Sequence, residues 1–177
     1  MKYIVTVLLL FFITSLNAKL IISPFDAMKI AYGDDVEISK KNILLKKQQV
    51  KKILKDAKVR KLHSKIIRVF KAEKNHALLG YGVLITRVMR TKTVTVLYII
   101  TKDGVLQSSE IIAFNEPAEY MPSKTWLKQF KNISTNKRLV VSKDIPTITG
   151  ATLTARGLVD GSRVAFAFYK EILEDEK

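Results

Sequence analysis

The sequence predicts an α+β domain in which an antiparallel sheet of about four to five strands packs against helices. Its middle is dense in β-branched residues and contains a tight-turn triplet, Lys102-Asp103-Gly104, between two strand-like runs. On either side of this block, apolar residues recur at the three- and four-residue steps of a helix. A length of 177 residues suits one such domain with a small N-terminal addition.

The first 18 residues have the pattern of a secretory signal peptide. Lys2 precedes an apolar run that reaches Leu16, and Ala18 supplies a small residue for cleavage. We therefore expect a cleaved segment over 1–18 and a mature protein exported to the periplasm. The alternative is an uncleaved anchor that keeps the protein membrane-associated, although the run is shorter than the roughly 20 apolar residues that span a bilayer.

The segment 19–70 is predicted to be the N-terminal part of the same unit as residues 71–177. Ser23 and Pro24 are typical of a helix start, and Gly33 is typical of a helix end. Strand sequence and then an amphipathic, lysine-rich helix follow, over residues 36–45 and 46–57.

The sheet is predicted from four further runs of strand-like sequence. They cover residues 65–72, 76–89, 93–101 and 105–114. After them, Pro122 and Ser123 favour the start of a short helix that carries Trp126, and its aromatic spacing favours packing on the sheet over a ligand role.

A long C-terminal helix is predicted from about Leu153 almost to the end of the chain. Apolar and small residues share one face of it at helical spacing. They are Leu158, Gly161, Ala165, Phe168 and Ile172. The small members of this set permit close packing of the helix on the sheet.

The charge of the chain is strongly positive, with a formal value of +15. Between Ser39 and Ala72 there are 13 Lys or Arg residues and a single acid, Asp56. A nucleic acid partner is not expected, because the predicted export separates the protein from it. The basic stretch is either an ordinary solvated face or a docking surface for an acidic protein or an anionic membrane surface.

Cysteine is absent, which excludes whole classes of chemistry. Disulfides, iron–sulfur clusters, thiol redox pairs and haem attachment through C-x-x-C-H all require it. His63 and His76 fall in different predicted segments without the spacing of a metal site, so no metal centre is expected.

The tetrad Thr149-Gly150-Ala151-Thr152 stands where the long helix begins. A helix start presents unpaired N–H groups and the positive end of the helix dipole, where phosphate binds readily. Gly150 permits a positive φ and Ala151 adds little bulk. A hydroxyl here has two interpretations: it caps the helix, or it carries a phosphate ester held by these N–H groups.

Residues 147–165, TITGATLTARGLVDGSRVA, resemble the C-terminal motif of the FMN-binding domain family, whose hallmark is [ST]-G-A-T. The upstream block from Gly80 to Phe130 is similar to the body of the same domain, and the resemblance spans roughly Lys71 to Lys170. It implies that a flavin transferase esterifies the FMN phosphate to Thr152. Many members have Asp at the position of Pro146, whereas the nearest acid here is Asp144.

The resemblance implies an exported electron-transfer protein that relays electrons between a membrane donor and an acceptor. The redox partner would be a membrane quinone or NADH oxidoreductase or a cytochrome. Besides the tetrad, candidate contacts to the FMN ring or ribityl chain are Glu116, Tyr120, Leu153 and Thr154, each of which also has a purely structural interpretation. The alternatives are a flavin-dependent reductase of a small acceptor, and a non-redox binding module in which Thr152 is only a helix cap.

Overall fold

The structure, a computed structural model, describes residues 20–176, and the predicted signal peptide lies outside them. The helices are α1 (Pro24–Tyr32), α2 (Lys47–Ala57), α3 (Lys124–Leu127) and α4 (Thr152–Phe168). The strands are β1 (Glu37–Leu44), β2 (Ile66–Lys74), β3 (Ala77–Val88), β4 (Thr93–Thr101), β5 (Val105–Phe114) and β6 (Ile133–Ser134). A wider helical turn extends α4 to Leu173.

All six strands form one antiparallel sheet in the chain order β1 to β6. The predicted α+β class is therefore confirmed, but the sheet has six strands where about four to five were expected. The additional strand is β6, two residues in the polar stretch after Phe130 that pair with the start of β5. So short a strand has no room for the alternation of apolar and polar residues that identifies longer ones.

Two apolar cores lie on opposite faces of the sheet. Helix α1 covers one face, where Met28 meets Phe70 and Leu97. Helix α4 covers the other face and α2 packs against α4, so the larger core lies between these helices and the sheet. None of the helices within residues 20–176 is long and apolar enough to cross a bilayer.

The middle of α4 lies in direct contact with β4. The Tyr98 hydroxyl donates a hydrogen bond of 2.8 Å to the carbonyl oxygen of Leu158. A Cβ atom added at Gly161 would lie 2.3 Å from the Tyr98 hydroxyl oxygen, so only glycine permits this approach. The packing fixes α4 along its length and therefore also fixes where its N-terminal end lies.

Candidate functional site

The tetrad forms a turn that leads directly into α4. The Ala151 N–H donates to the Ile148 carbonyl at 2.9 Å, and Gly150 has a φ of +77°. A Cβ atom added at Gly150 would have no atom of residues 20–176 within 4 Å. Glycine is therefore required here by its backbone conformation, and the space beside it is open.

The first turn of α4 offers backbone donors without acceptors. Its first backbone bond runs from the Ala155 N–H to the Ala151 carbonyl, at 3.2 Å. Within residues 20–176, the N–H groups of Thr152, Leu153 and Thr154 have no acceptor. Three N–H groups at the positive end of a 17-residue helix make a favourable position for an anion.

The structure does not support a capping role for the tetrad hydroxyls. The N-cap position belongs to Ala151, with no side-chain hydrogen bond to the first turn, and Thr152 is the first helical residue. The structural alternative to a cofactor contact for Thr154 was a second helix cap, but this residue is buried within the first turn, with 2% of its surface exposed. For Leu153 the alternative was burial at the helix start, but this residue is 48% exposed.

A cavity of about 270 Å³ opens at this helix start. Its lining consists of Arg90, Tyr120 and the consecutive residues 150–154. The Arg90 guanidinium lies over the Tyr120 ring, 4.6 Å from its centroid. The lining contains one cation and no acid, so its charge adds to that of the helix dipole in favouring an anion.

Arg90 is placed by the turn between β3 and β4, and Glu116 holds that turn. One carboxylate oxygen, Oε1 of Glu116, accepts hydrogen bonds from the backbone N–H groups of Arg90, Thr91 and Lys92, at 2.8, 2.7 and 2.7 Å. Met89, the first residue of the turn, packs on α4, where a Cβ added at Gly157 would lie 1.8 Å from its sulfur. The turn is thus fixed from two sides.

The structural alternative to a cofactor contact for Glu116 was a solvated acid in a loop. The residue is instead buried, with 5% of its surface exposed. Burial by itself raises the pKa of this carboxyl, but the hydrogen bonds from the Lys92, Arg90 and Thr91 N–H groups outweigh burial and lower it. Glu116 therefore stays ionised and keeps accepting these bonds at neutral pH.

The loop before the tetrad is anchored by its own contacts. The Trp126 indole N–H donates to the Pro146 carbonyl at 3.2 Å, and the Trp126 ring also packs on Phe130. Asp144 accepts from the Val140 N–H at 2.9 Å and pairs with Lys137 at 3.1 Å. The Asp144 carboxylate is thus used within its own loop.

The structure brings most of the predicted site residues to one cavity. Tyr120 lines it together with residues 150–154, whereas Thr149 is exposed and Glu116 is buried, and neither lines the cavity. Sequence reasoning missed Arg90. Its signal was a basic turn, Met89 to Lys92, between two strongly predicted strands, but only the fold shows that this turn meets the helix start.

These features fit the phosphate end of FMN. A phosphate needs donors and positive charge, which the three free N–H groups and Arg90 supply. The open space beside Gly150 leaves room for a group to approach the backbone. Because pockets that enclose a whole cofactor-sized ligand measure about 300–1,000 Å³, this smaller cavity fits only part of FMN.

Comparison with known proteins gives one family. Residues 91–167 match the family model of the FMN-binding domain. The match runs from the turn that carries Arg90 to near the end of α4, so it contains the tetrad and most of the cavity lining. A search of curated proteins found no match. The chain therefore contains an FMN-binding domain, and its cofactor is FMN.

Proposed function

We propose that the protein is an exported electron carrier with FMN attached through a phosphoester to Thr152. The observation that carries this proposal is the position of Thr152, the first residue of α4, beside three free N–H groups in a cavity that lacks acids. An ester at its Oγ1 atom would hold the FMN phosphate against the helix dipole. Formation of the bond removes the Thr152 hydroxyl proton and breaks the bond from phosphorus to the leaving group of the flavin donor.

The three threonines near the helix start differ in access. Thr154 is 2% exposed, which leaves no path for a modifying enzyme. Thr149 is exposed but does not line the cavity, so an ester there would not place the phosphate among the free N–H groups. Thr152 is half-buried and lines the cavity, which combines access with a place for the phosphate.

Bound FMN accepts and donates one or two electrons, and the protein's part is to hold and orient it. Arg90 and the start of α4 would hold the phosphate, and the Tyr120 ring lies at the same cavity. The cavity lining offers the phosphate end of FMN one cation, Arg90, and no carboxylate.

The basic stretch is the proposed docking surface for a redox partner or an anionic membrane. Of its 13 basic residues, Lys41, Lys52 and Lys71 are paired with acids in the described part of the chain. The other ten leave a large excess of positive charge on and around α2. Such a surface accelerates association with acidic partners in a salt-dependent way. In the periplasm the partner would be a membrane oxidoreductase or a cytochrome.

Intact mass measurement tests the attachment. The protein is coexpressed with a flavin transferase, and we expect the mass of FMN less one water on the peptide that contains Thr152. Thr152→Ala should abolish the addition, whereas the matched control Thr149→Ala should keep it. An unmodified but yellow protein would show that FMN is bound without a covalent bond. A colourless protein would overturn the proposed function.

Docking is tested by electron transfer at two salt concentrations. Reduction of the FMN-loaded protein by membranes, and its oxidation by acidic cytochromes, should slow markedly as salt rises, because a Debye length of about 10 Å at 0.1 M screens the basic surface. Rates that do not change with salt would refute this docking surface. Rapid turnover of a small acceptor by the isolated protein would favour a reductase instead.

A further inference from the structure

The sheet is split at one end between β2 and β3. The two strands pair from Arg68 opposite Leu84 to Lys74 opposite Ala77. Before Arg68, Ile66 and Ile67 still pair with β1, and beyond Leu84 the residues of β3 still pair with β4. Strand β2 therefore stays paired with β1, and β3 with β4, while β2 and β3 separate from each other. Some backbone N–H and C=O groups of β2 and β3 then face the gap between them.

A cavity of about 350 Å³ occupies this split. Residues 62–64, from the loop before β2, close one side of it, and Val164 of α4 closes another. It shares no lining residue with the cavity at the start of α4. Its volume lies within the range of about 300–1,000 Å³ that small-molecule sites occupy.

The polar part of this lining is cationic. Arg68 and Arg87 both line the cavity, His63 stands at it, and none of its lining residues is an acid. Ser64 and Thr86 add hydroxyl groups. Arg68 pairs with Leu84 on the α1 side of the sheet, where its Nε atom donates to Asn42, whereas Arg87 lies on the α4 side. A guanidinium group on that side, without a carboxylate in the same lining, favours an anionic ligand with planar oxygen geometry.

Arg87 is incompletely satisfied by the protein. Its Nη2 atom donates to Asp160 at 3.4 Å, a long bond, and Asp160 also binds Arg163. Its Nε atom is buried and has no partner within the described residues. An arginine so placed retains donor capacity, and a buried donor without a partner calls for a structural reason.

The remainder of the lining is apolar, so a ligand that fits it has an apolar body beside its negative charge. Leu62, Ile67, Ile85 and Val164 line the same cavity as the two arginines. An added peptide strand does not fit, because β2 offers only two residues, Ile66 and Ile67, ahead of its pairing with β3. Strands in sheets usually need about five residues.

We propose that this split is a binding site for a small organic carboxylate with an apolar body. The carboxylate binds Arg87, and the apolar body lies against Ile67, Ile85 and Val164, which lie with Arg87 on the α4 side of the sheet. The site is separate from the FMN site, but the same strand, β3, supplies Arg87 and leads into the turn that carries Arg90. A ligand in the split therefore contacts the element that places Arg90 at the FMN cavity.

The test is a titration of the ¹⁵N-labelled protein followed by NMR, with sodium benzoate as the probe. We expect saturable shifts confined to residues 62–68, 84–87 and 164. Benzyl alcohol, which has a similar shape without the charge, should bind at least roughly tenfold more weakly. Inorganic phosphate, which has the charge without the apolar body, should also bind more weakly.

Two variants locate the charge that matters. Arg87→Gln should weaken benzoate binding about tenfold. Arg87→Lys keeps a positive charge beside Asp160, so it folds even if the glutamine variant does not, and it should still weaken binding because it lacks the planar guanidinium. Arg60→Gln removes the same charge from an exposed position outside the lining and should bind benzoate as the unaltered protein does.

Three results would overturn the proposal. The first is the absence of saturable shifts in these residues. The second is equal binding of benzoate and benzyl alcohol, or of benzoate and phosphate. The third is an equal loss of binding in the Arg60→Gln and Arg87→Gln variants, which would reduce the effect to net charge. Because the readout is carboxylate binding, it stands or falls independently of FMN attachment.

Discussion

Two glycines eleven residues apart, Gly150 and Gly161, lie in opposite surroundings. At Gly150, before α4, an added Cβ meets nothing in the described part of the chain within 4 Å, and the backbone has a φ of +77°. At Gly161, in the middle of α4, an added Cβ would lie 2.3 Å from the Tyr98 hydroxyl, and the backbone is helical. One glycine is required by conformation and the other by space.

This difference separates function from stability along a single element. The middle of α4 packs tightly against the sheet and positions the helix. Its start is left open: three of its N–H groups have no acceptor among residues 20–176, and a cavity lies beside them. A substitution at the middle should therefore act on folding, and one at the start should act on FMN.

The largest effect is expected from Gly161→Ala. Overpacking a core costs about 1–3 kcal/mol, and Tyr98 cannot yield easily because it is fully buried and bonded to Leu158. The better helix propensity of Ala returns about 1 kcal/mol, which leaves a net loss of up to about 2 kcal/mol in the free energy of unfolding. Urea denaturation measures it.

Gly157→Ala is the matched control for that change. It gains the same helix propensity, but its added Cβ meets the sulfur of Met89, an unbranched side chain that can move. Its loss of stability should be smaller. An equal loss would mean that any side chain on this face of α4 is excluded, and Tyr98 would have no special role.

The second effect is a partial rescue by Tyr98→Phe. Alone, this change removes the buried hydrogen bond to the Leu158 carbonyl and should cost about 1 kcal/mol. Combined with Gly161→Ala, it also removes the atom at 2.3 Å, so the double variant should be about 1 kcal/mol more stable than additivity predicts. Strict additivity in a double-mutant cycle would contradict the steric account.

The same contrast explains which parts of the fold could be predicted from the sequence. Helix α1 begins after Ser23, whose hydroxyl accepts from the Asp26 N–H, and it ends at Gly33, as the sequence indicates. These features depend on a few neighbouring residues. The close approach of Gly161 to Tyr98 connects positions 63 residues apart, and local patterns indicate only that a small residue is tolerated there.

The candidate site, too, could be predicted from the sequence only where it depends on neighbouring residues. The tetrad, with its positive φ at Gly150, follows from local sequence and from the resemblance. The role of Glu116 in holding the turn of Arg90 does not, because its three hydrogen bonds reach back 24 to 26 residues. The short strand β6 was missed since its two residues lie in polar surroundings.

The third effect is expected from Gly150→Ala. The positive φ costs an L-residue about 1 kcal/mol, and the open space adds no clash. Stability should therefore fall less than in Gly161→Ala, while FMN content after coexpression with a flavin transferase should fall more. A variant that lost stability like Gly161→Ala but kept its FMN would reverse the comparison.

The smallest effect concerns the turn that places Arg90 at the open end. The pKa of Glu116 in the folded protein lies below its ordinary value of 4.5, so its stabilisation is complete above that pH. The stabilisation from Glu116 is lost as the pH falls through this lowered pKa. Glu116→Gln should cost about 1 kcal/mol or less at neutral pH, and this difference from the unaltered protein should shrink below about pH 4.5.

Glu110 provides a control of opposite sign, because burial raises its pKa above 4.5, against a smaller opposing effect of its hydrogen bond with Ser108. A raised pKa means that the carboxyl stabilises the fold fully below the unfolded value and loses this contribution as pH rises through the folded value. Relative to the unaltered protein, Glu110→Gln should thus gain stability with rising pH, whereas Glu116→Gln should lose it. Parallel pH profiles for the two variants would show that the backbone N–H bonds do not set the ionisation of Glu116, and that Arg90 owes its place to Met89 and α4.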